Sequence, residues 1–350
     1  MNEILTQITG PIAKEMSLFN DIFQDSLSHT DGLLNEVLKH ICQRGGKRMR
    51  PILTLLIAKH LYHKEHGEMY RDFQKVKNIM SNEPEKSPYI KALRAAASLE
   101  LLHTASLVHD DVVDEAYERR GQASVNASYN NRIAVLVGDY ILSTSLGQIA
   151  LTQDARMTHV LAKLGMTLSE GEVRQQQNIS TDFFSIDAYY DIISKKTAAL
   201  FESCCYLGAL SVGASEDDIQ KACKFGHDLG VIFQIRDDIF DYSDSKEIGK
   251  PTGKDMREGK LTLPVLYVLN HVQNDRAKEL AVKVKHQKAS DEEINELISL
   301  TKQFGGIEYA NKMMEDYYQK AMTFVSENSM EDSLKQSLTL YADYVMGRNI

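Results

Sequence analysis

The stretch HTASLVHDDVVDEAYERRG, from His103 to Gly121, carries the end of a long apolar helix pattern, then a cluster of acids and a cluster of bases. At about 100° per residue, a helix places Asp110 and Asp114 one turn apart on one face. The same face runs back through Leu107, His103, Glu100 and Ala96, where an amphipathic helix would place its apolar stripe, so we expect the two carboxylates to point inward. Because an isolated inward charge is costly, the pattern predicts a cation beside them.

The same Asp-Asp-x-x-Asp spacing recurs at Asp237, Asp238 and Asp241, 127 residues further on (237 − 110). One such motif arises by chance in roughly 8% of chains this long, but two arise in well under about 1%. A single motif would be interpreted as a solvated helix end, so the signal is the pair. Mg²⁺ favours carboxylate oxygens and keeps waters and substrate phosphates as its other ligands. The pair predicts two acid triplets that meet across an apolar cavity and share Mg²⁺ ions.

Composition indicates an ordinary soluble globular protein of 350 residues, 43% hydrophobic and 25% charged. Helix-periodic segments follow one another without a Pro/Gly/Ser-rich linker or a strand signal, which predicts one all-α domain over residues 1–350. A helix is predicted from Ser87-Pro88 to about Tyr117, and residues 62–87 form a polar insertion before it. The net charge of −9 argues against a nucleic-acid or anionic-membrane surface.

The cysteines and the N-terminus predict a cytoplasmic protein with reduced thiols. Neither zinc spacing nor a disulfide framework is visible at Cys42, Cys204, Cys205 and Cys223. The N-terminus has no basic segment followed by an apolar one, and no apolar run is expected to reach membrane-spanning length.

Basic residues are concentrated in three places, although the chain is acidic overall. RGGKRMRP, from Arg44 to Pro51, is a Gly-containing loop feeding a helix N-terminus, which suits an anion. The other two sets are Arg119 with Arg120, and Lys196 with the lysines of the loop after Asp241. Metals and bases around a diphosphate, beside an apolar cavity, describe ionisation of a lipid diphosphate. Gln175 and Gln176 allow a functional interpretation, but helix-surface glutamines are more common, and no role is assigned to them.

Five motifs in this order, GGKRMRP, HTASLVHDDVVD with ERRG, SKKTA, FQIRDDIFD and GKPTGKDMREGKLTLP, resemble those of the trans-isoprenyl diphosphate synthases, the polyprenyl synthetase family. The resemblance covers roughly residues 44–264. It implies an all-α isoprenoid synthase bundle around a deep central cavity, normally a homodimer. It also implies a Mg²⁺-dependent prenyltransferase that condenses isopentenyl diphosphate head to tail with an allylic diphosphate such as farnesyl diphosphate.

Carried over position by position, the resemblance assigns roles to the charged residues. Mg²⁺ ions that bridge the allylic diphosphate would be bound by Asp110, Asp114, Asp237 and Asp241. The neighbouring Asp111 and Asp238 would act indirectly. The leaving diphosphate would be held by Arg119, Lys196, Lys250 and Lys260. The diphosphate of isopentenyl diphosphate would be held by Lys47, Arg50, His103 and Arg120. The dipoles of Thr197 and Gln234 would lie near the allylic cation.

Product length is predicted from the helix before the first acid motif, along which the product would grow. Shorter-chain members of the family usually carry a bulky residue four or five positions before the first Asp, where this chain has Ser106 and Ala105. Leu102 and Leu99 come next. We therefore expect a long-chain product, of the octaprenyl kind used for quinone side chains, and at most peripheral membrane contact for its release.

Three alternatives remain open on sequence grounds. A short-chain farnesyl or geranylgeranyl synthase would share every motif. A subunit of a heteromeric prenyl synthase would usually lack one acid cluster, whereas this chain has both. A terpene cyclase would share the fold and the first cluster, but it would lack RDDIFD and GGKRMRP.

Overall fold

The computed structural model describes residues 3–30, 32–43, 46–66, 87–119, 121–243, 252–328 and 330–347, and most of them are helical. The all-α prediction is therefore confirmed. The chain forms two compact units. One comprises Met1–Gly165, Ser203–Cys223 and Asn328–Leu340, and the other comprises Met166–Glu202, Lys224–Glu327 and Tyr341–Ile350. The single-domain expectation stays a prediction.

The described residues form the following helices. In chain order they are α1 (Glu3–Thr9), α2 (Ala13–Ser26), α3 (Gly32–Cys42), α4 (Met49–His66), α5 (Pro88–Val113), α6 (Val125–Ser128), α7 (Asn131–Ala150), α8 (Ala155–Ile179), α9 (Ile186–Ile193), α10 (Ala199–Ser211), α11 (Glu216–Phe240), α12 (Lys254–Arg257), α13 (Leu263–His271), α14 (Asp275–Lys285), α15 (Asp291–Gln303), α16 (Gly306–Glu327) and α17 (Asp332–Gly347). A 3₁₀ turn spans Gly10–Ile12, and a π-helical segment spans Ser194–Ala198.

The long helix α5 is the centre of the first unit, where it packs against α2, α4 and α7. It begins at Pro88 as predicted, because proline suits the first helical position. It ends at Val113, four residues before the predicted end. Asp114 closes it, and Glu115 then adopts a positive φ of 48°. A two-residue antiparallel pair follows, Glu118–Arg119 with Gln122–Ala123, which the sequence pattern does not indicate.

In the second unit, glycines let two helices approach the π-helical segment closely. A Cβ added at Gly230 of α11 would lie 2.5 Å from Ala198 Cα. A Cβ added at Gly171 of α8 would lie 3.0 Å from the backbone nitrogen of Lys196. Only glycine permits such backbone contact. Side chains of α8 and α11 therefore come within hydrogen-bonding distance of Lys196 and Thr197.

Gly230→Ala is expected to lower the free energy of unfolding by about 1 to 3 kcal/mol, because the new methyl group overlaps Ala198. Gly165→Ala in α8 is the matched control. Its methyl group would meet only Leu102 Cδ1, at 4.0 Å. The free energy of unfolding of that variant should rise by up to about 1 kcal/mol, because alanine has a higher helix propensity than glycine. Urea unfolding of both variants measures the difference, and equal stabilities would contradict the close approach.

Candidate active site

The first acid motif buries its middle residue and leaves the outer two more accessible. Asp111 is only 1% exposed, whereas Asp110 is half-buried and Asp114 is exposed. Arg119 Nε donates to Asp111 Oδ1 at 2.6 Å, and Asn126 Nδ2 donates to the Asp111 carbonyl at 3.0 Å. Asp111 thus ties the end of α5 to the residues that follow it. Arg119, predicted to hold a diphosphate, is paired with Asp111 in this structure.

The orientation of this motif is supported by the residue before it. His109 Nε2 lies 3.3 Å from Asp139 Oδ1 on α7, and a Cβ added at Gly138 would lie 2.2 Å from the same nitrogen. Gly138 therefore provides the space that the imidazole occupies. Because His109 is directed at α7, the helical periodicity directs the acid stripe elsewhere.

A cavity of about 50 Å³ lies beside this motif. Three predicted site residues line it, His103, Asp111 and Arg119, together with Arg48 and Glu100. Arg48 Nη1 donates to Glu100 Oε1 at 2.8 Å, and the Arg48 guanidinium lies over the Phe23 ring, 4.2 Å from its centroid.

Two other predicted residues of the isopentenyl diphosphate site lie outside this lining: Lys47 is exposed and Arg50 is half-buried. Arg120 and Lys250 lie outside the described residues, as do Arg44, Gly45 and most of the polar insertion. The sequence interpretation missed Arg48. The sequence did mark the basic loop that contains Arg48, but it does not show which base of that loop faces α5.

The second acid motif, at the end of α11, is arranged in the same way as the first. Asp238 is 3% exposed, whereas Asp237 is exposed and Asp241 is half-buried. Asp241 accepts hydrogen bonds from the backbone N–H groups of Lys254 (2.8 Å) and Asp255 (3.1 Å). The Asp241 carboxylate therefore caps the N-terminus of the short helix α12.

A cavity of about 120 Å³ lies beside the second motif, and five predicted residues line it: Lys196, Thr197, Gln234, Asp238 and Lys260. Hydrogen bonds connect three of them. Thr197 Oγ1 donates to Gln234 Oε1 at 2.6 Å, and Gln234 Nε2 donates to Asp238 Oδ1 at 2.8 Å. Tyr189, which the sequence interpretation missed, donates its hydroxyl to Asp238 Oδ2 at 2.6 Å. The structure thus brings together residues from three sequence motifs and from α9.

The lysines of this cavity are held by neighbouring oxygens. Lys196 Nζ donates to Glu172 Oε2 at 2.8 Å and to Gln175 Oε1 at 3.0 Å. Gln175, to which the sequence assigns no role, also lines the cavity. Helix periodicity alone does not show which polar face of α8 meets the π-helical segment. Lys260 Nζ donates to Glu258 Oε2 at 2.5 Å.

Negative charge accumulates around Asp238. Burial raises the pKa of Asp238, and the charges of Asp255 and Asp237 raise it further. Burial likewise raises the pKa of Asp241. Burial together with the neighbouring Asp241 carboxylate raises the pKa of Asp255 to about 6. Asp255, also missed from the sequence, lines the same cavity. This set of carboxylates favours a bound cation.

A buried lysine holds the loop after α8. Lys285, 4% exposed, donates through Nζ to the carbonyls of Asn178 (2.9 Å), Thr181 (2.7 Å) and Phe183 (2.6 Å). Three hydrogen bonds use the full donor capacity of an ammonium group. Asn178 and the adjacent Ile179 line the larger cavity, so Lys285 fixes part of its wall.

A model of the polyprenyl synthetase family matches residues 31–301. The chain belongs to this family. Geranylgeranyl pyrophosphate synthase from Bacteroides thetaiotaomicron is 41% identical, with a TM-score of 0.80 over 99% of this chain and 100% of that one. Heptaprenyl diphosphate synthase component 2 from Geobacillus stearothermophilus is 32% identical over 94% of this chain and 95% of its own. A Caulobacter crescentus polyprenyl synthase, complexed with calcium and isoprenyl diphosphate, is 25% identical, with a TM-score of 0.83 over 98% of both chains.

These relatives confirm the predicted activity class and fold. The chain is a prenyltransferase, a trans-prenyl diphosphate synthase, and it has the helical isoprenoid synthase fold. The relatives include enzymes named for both shorter and longer products. The individual site residues, and the expectation that the two acid motifs meet, stay predictions.

The acid motifs of this prenyl synthase have the donor chemistry for Mg²⁺. In the part of the chain that the structure describes, no three His, Cys, Asp or Glu side chains are grouped closely enough to hold a metal ion by themselves. Mg²⁺ usually takes only one or two carboxylates and completes its ligands with water and phosphate. The outer aspartates of both motifs are accessible enough for that mode of binding. The raised pKa values of Asp241 and of the neighbouring Asp255 also fit it, because a bound cation would favour their charged forms.

Asp255→Asn is expected to stabilise the metal-free synthase by about 2 to 3 kcal/mol at pH 8. The folded-state pKa of about 6 lies above the ordinary 3.8, so the wild type loses stability as the pH rises between these values. The gain should therefore vanish below about pH 4. Urea unfolding with a chelator, at several pH values, measures it.

Glu258→Gln is the matched control with the opposite sign. Burial raises the pKa of Glu258, but the hydrogen bond and charge of Lys260 outweigh burial and lower it. This variant should lose stability at pH 8 and approach the wild type in acid. A gain for Asp255→Asn that is constant with pH would contradict the charge cluster.

Proposed function

We propose that the chain is an all-trans long-chain polyprenyl diphosphate synthase. It adds isopentenyl diphosphate head to tail to an allylic diphosphate such as farnesyl diphosphate, and its product supplies quinone side chains. The observation that carries this proposal is the cavity lined by Lys196, Thr197, Gln234, Asp238 and Lys260. In this lining, ammonium groups that would hold a diphosphate lie beside side-chain dipoles that would stabilise an allylic cation.

The reaction needs no nucleophilic side chain. The carbon–oxygen bond of the allylic diphosphate breaks, and diphosphate leaves with the bonding electrons toward Lys196 and Lys260. The oxygens of Thr197 and Gln234 face the resulting carbocation. The double bond of isopentenyl diphosphate then attacks this carbocation, and a proton is lost to the departing diphosphate.

The second substrate is assigned to the basic loop before α4. His103 and Arg48 line the smaller cavity, Lys47 lies in the same loop as Arg48, and Arg50 is the second residue of α4. These groups would hold the diphosphate of isopentenyl diphosphate while its double bond reacts. Bound Mg²⁺ would supply positive charge to the leaving diphosphate. Asp110, Asp114, Asp237 and Asp241 are the proposed ligands.

The side chains before Asp110 support a long product. Ser106 is half-buried and its hydroxyl donates to the His103 carbonyl at 3.0 Å. Ala105, Leu102 and Leu99 are buried. Small side chains at Ser106 and Ala105 leave the route beyond the first acid motif unblocked by aromatic rings. The alternative, a geranylgeranyl product, is favoured by the 41% identity to a geranylgeranyl pyrophosphate synthase.

Ser106→Phe is expected to shorten the product by one or more isoprene units, because the ring would fill the route next to Asp110. Ser106→Thr is the control and should leave the length unchanged. The purified protein is incubated with farnesyl diphosphate, labelled isopentenyl diphosphate and Mg²⁺, and the products are sized. A wild-type product of 20 carbons would establish the geranylgeranyl alternative. Product formed only after a second subunit is added would establish a heteromeric enzyme.

We also propose a homodimer that uses α7. In this helix Leu136 is 58% exposed, and Val135 and Leu146 are also exposed. Contrary to the sequence expectation, α7 is long and apolar enough to cross a membrane by length and composition. However, it packs along α5, where the buried Ser145 hydroxyl donates to the Ser98 carbonyl. Apolar side chains on the other side of a packed helix suit a protein interface. We therefore retain the proposal of a cytoplasmic enzyme with at most peripheral membrane contact.

Leu136→Glu is expected to convert the dimer to a monomer, because a charge would be buried in the interface. Leu33→Glu, at an exposed leucine of α3, is the control and should leave the mass unchanged. Light scattering after size-exclusion chromatography measures both. A wild-type protein of monomer mass would refute the dimer.

A further inference from the structure

We propose that Tyr189 is a positioning residue for the condensation reaction. Its hydroxyl fixes the Asp238 carboxylate and, through it, the orientations of Gln234 and Thr197. The inference rests on the proposed function, because it concerns the same cavity. It goes further by assigning a role to a residue that belongs to none of the acid or basic motifs.

All three hydrogen bonds of this network run toward Asp238. Tyr189 donates to one carboxylate oxygen, and the Gln234 amide nitrogen donates to the other. A carboxylate can only accept, so the amide must present its nitrogen to Asp238 and its oxygen to Thr197. That oxygen accepts the Thr197 hydroxyl proton at 2.6 Å. Because the Thr197 hydroxyl proton is used in this bond, the lone pairs of Oγ1 can be directed into the cavity.

Tyr189 is well placed to hold this arrangement. Both partners are almost fully buried, at 5% exposed for Tyr189 and 3% for Asp238. Tyr189 lies on α9 and Asp238 on α11, so the bond joins two separate helices. The donor atom comes from a rigid ring, which fixes the direction of the hydroxyl bond. Gln234 shares a helix with Asp238 and can rotate with it.

Without the Tyr189 hydroxyl, only Gln234 would restrain the Asp238 carboxylate among the contacts described above. Rotation of that carboxylate would let the Gln234 amide turn, and Thr197 would lose its fixed acceptor. The diphosphate-binding lysines would be unaffected, because Lys196 is held by Glu172 and Gln175 from α8. The defect should therefore appear in the chemical step and not in diphosphate binding.

The test compares Tyr189→Phe, Thr197→Val and the double variant. The rate is that of a single condensation of farnesyl diphosphate with isopentenyl diphosphate, measured in single-turnover mode so that product release does not limit it. We expect the single-turnover rate of Tyr189→Phe to be about 10- to 100-fold lower than that of the wild type, which corresponds to the loss of one hydrogen bond to a charged group. Because both residues act through one network, the double variant should lose no more than the worse single variant.

Tyr190→Phe is the matched control. Its ring contacts that of Tyr189, with centroids 5.4 Å apart, but its hydroxyl has no bond to Asp238. This variant should keep its rate within twofold and should combine additively with Thr197→Val. Binding of inorganic pyrophosphate with Mg²⁺, measured by calorimetry, should change less than threefold in Tyr189→Phe.

Four outcomes would overturn the inference. These are a Tyr189→Phe rate within twofold of wild type, multiplicative losses in the double variant, a parallel loss of pyrophosphate binding, or a melting temperature far below that of Tyr190→Phe. The last two would show that Tyr189 only maintains the fold. A wild type that forms no prenyl product would instead overturn the proposed function and this inference with it.

Discussion

The buried carboxylate of Asp238 is the constraint on which the larger cavity depends. A charge removed from water must be compensated by donors, and here these come from α9 and from one turn earlier in α11. The donors are in reach because Gly230 lets α11 approach Ala198 closely. The close approach of Gly230 and Ala198 thus permits the hydrogen bonds of Gln234 and Asp238, which begin one turn further along α11.

The two acid motifs reach the same arrangement by the same helical geometry. The second aspartate of each motif lies about 100° from the first, so one of them turns inward when the other remains accessible. Asp111 and Asp238 are the buried members, and each is bound by a side chain from outside its motif, Arg119 or Tyr189. The outer aspartates are the more accessible members of each motif and are the proposed ligands of Mg²⁺.

The sequence was sufficient to predict the long helices, the repeated acid motif and the cavity residues Lys196, Thr197, Gln234 and Lys260, because these features are local patterns or family motifs. It did not indicate Tyr189 or Asp255. Their positions in the site depend on which helix faces meet, and neither belongs to a charge pattern that periodicity would reveal. The end of α5 was placed too late because no glycine or proline interrupts residues 113–117. The positive φ at Glu115 has no signature in the sequence.

The lysine that binds three carbonyls has a consequence for how this enzyme can diverge. Lys285 contacts main-chain oxygens at Asn178, Thr181 and Phe183, which every amino acid supplies. The loop can therefore exchange its side chains during evolution while its path is preserved. The constraint falls on a single distant position in α14, where no other residue type offers an ammonium group at the end of a four-carbon chain. Substitutions around this wall of the cavity should accumulate asymmetrically, freely in the loop and rarely at the lysine.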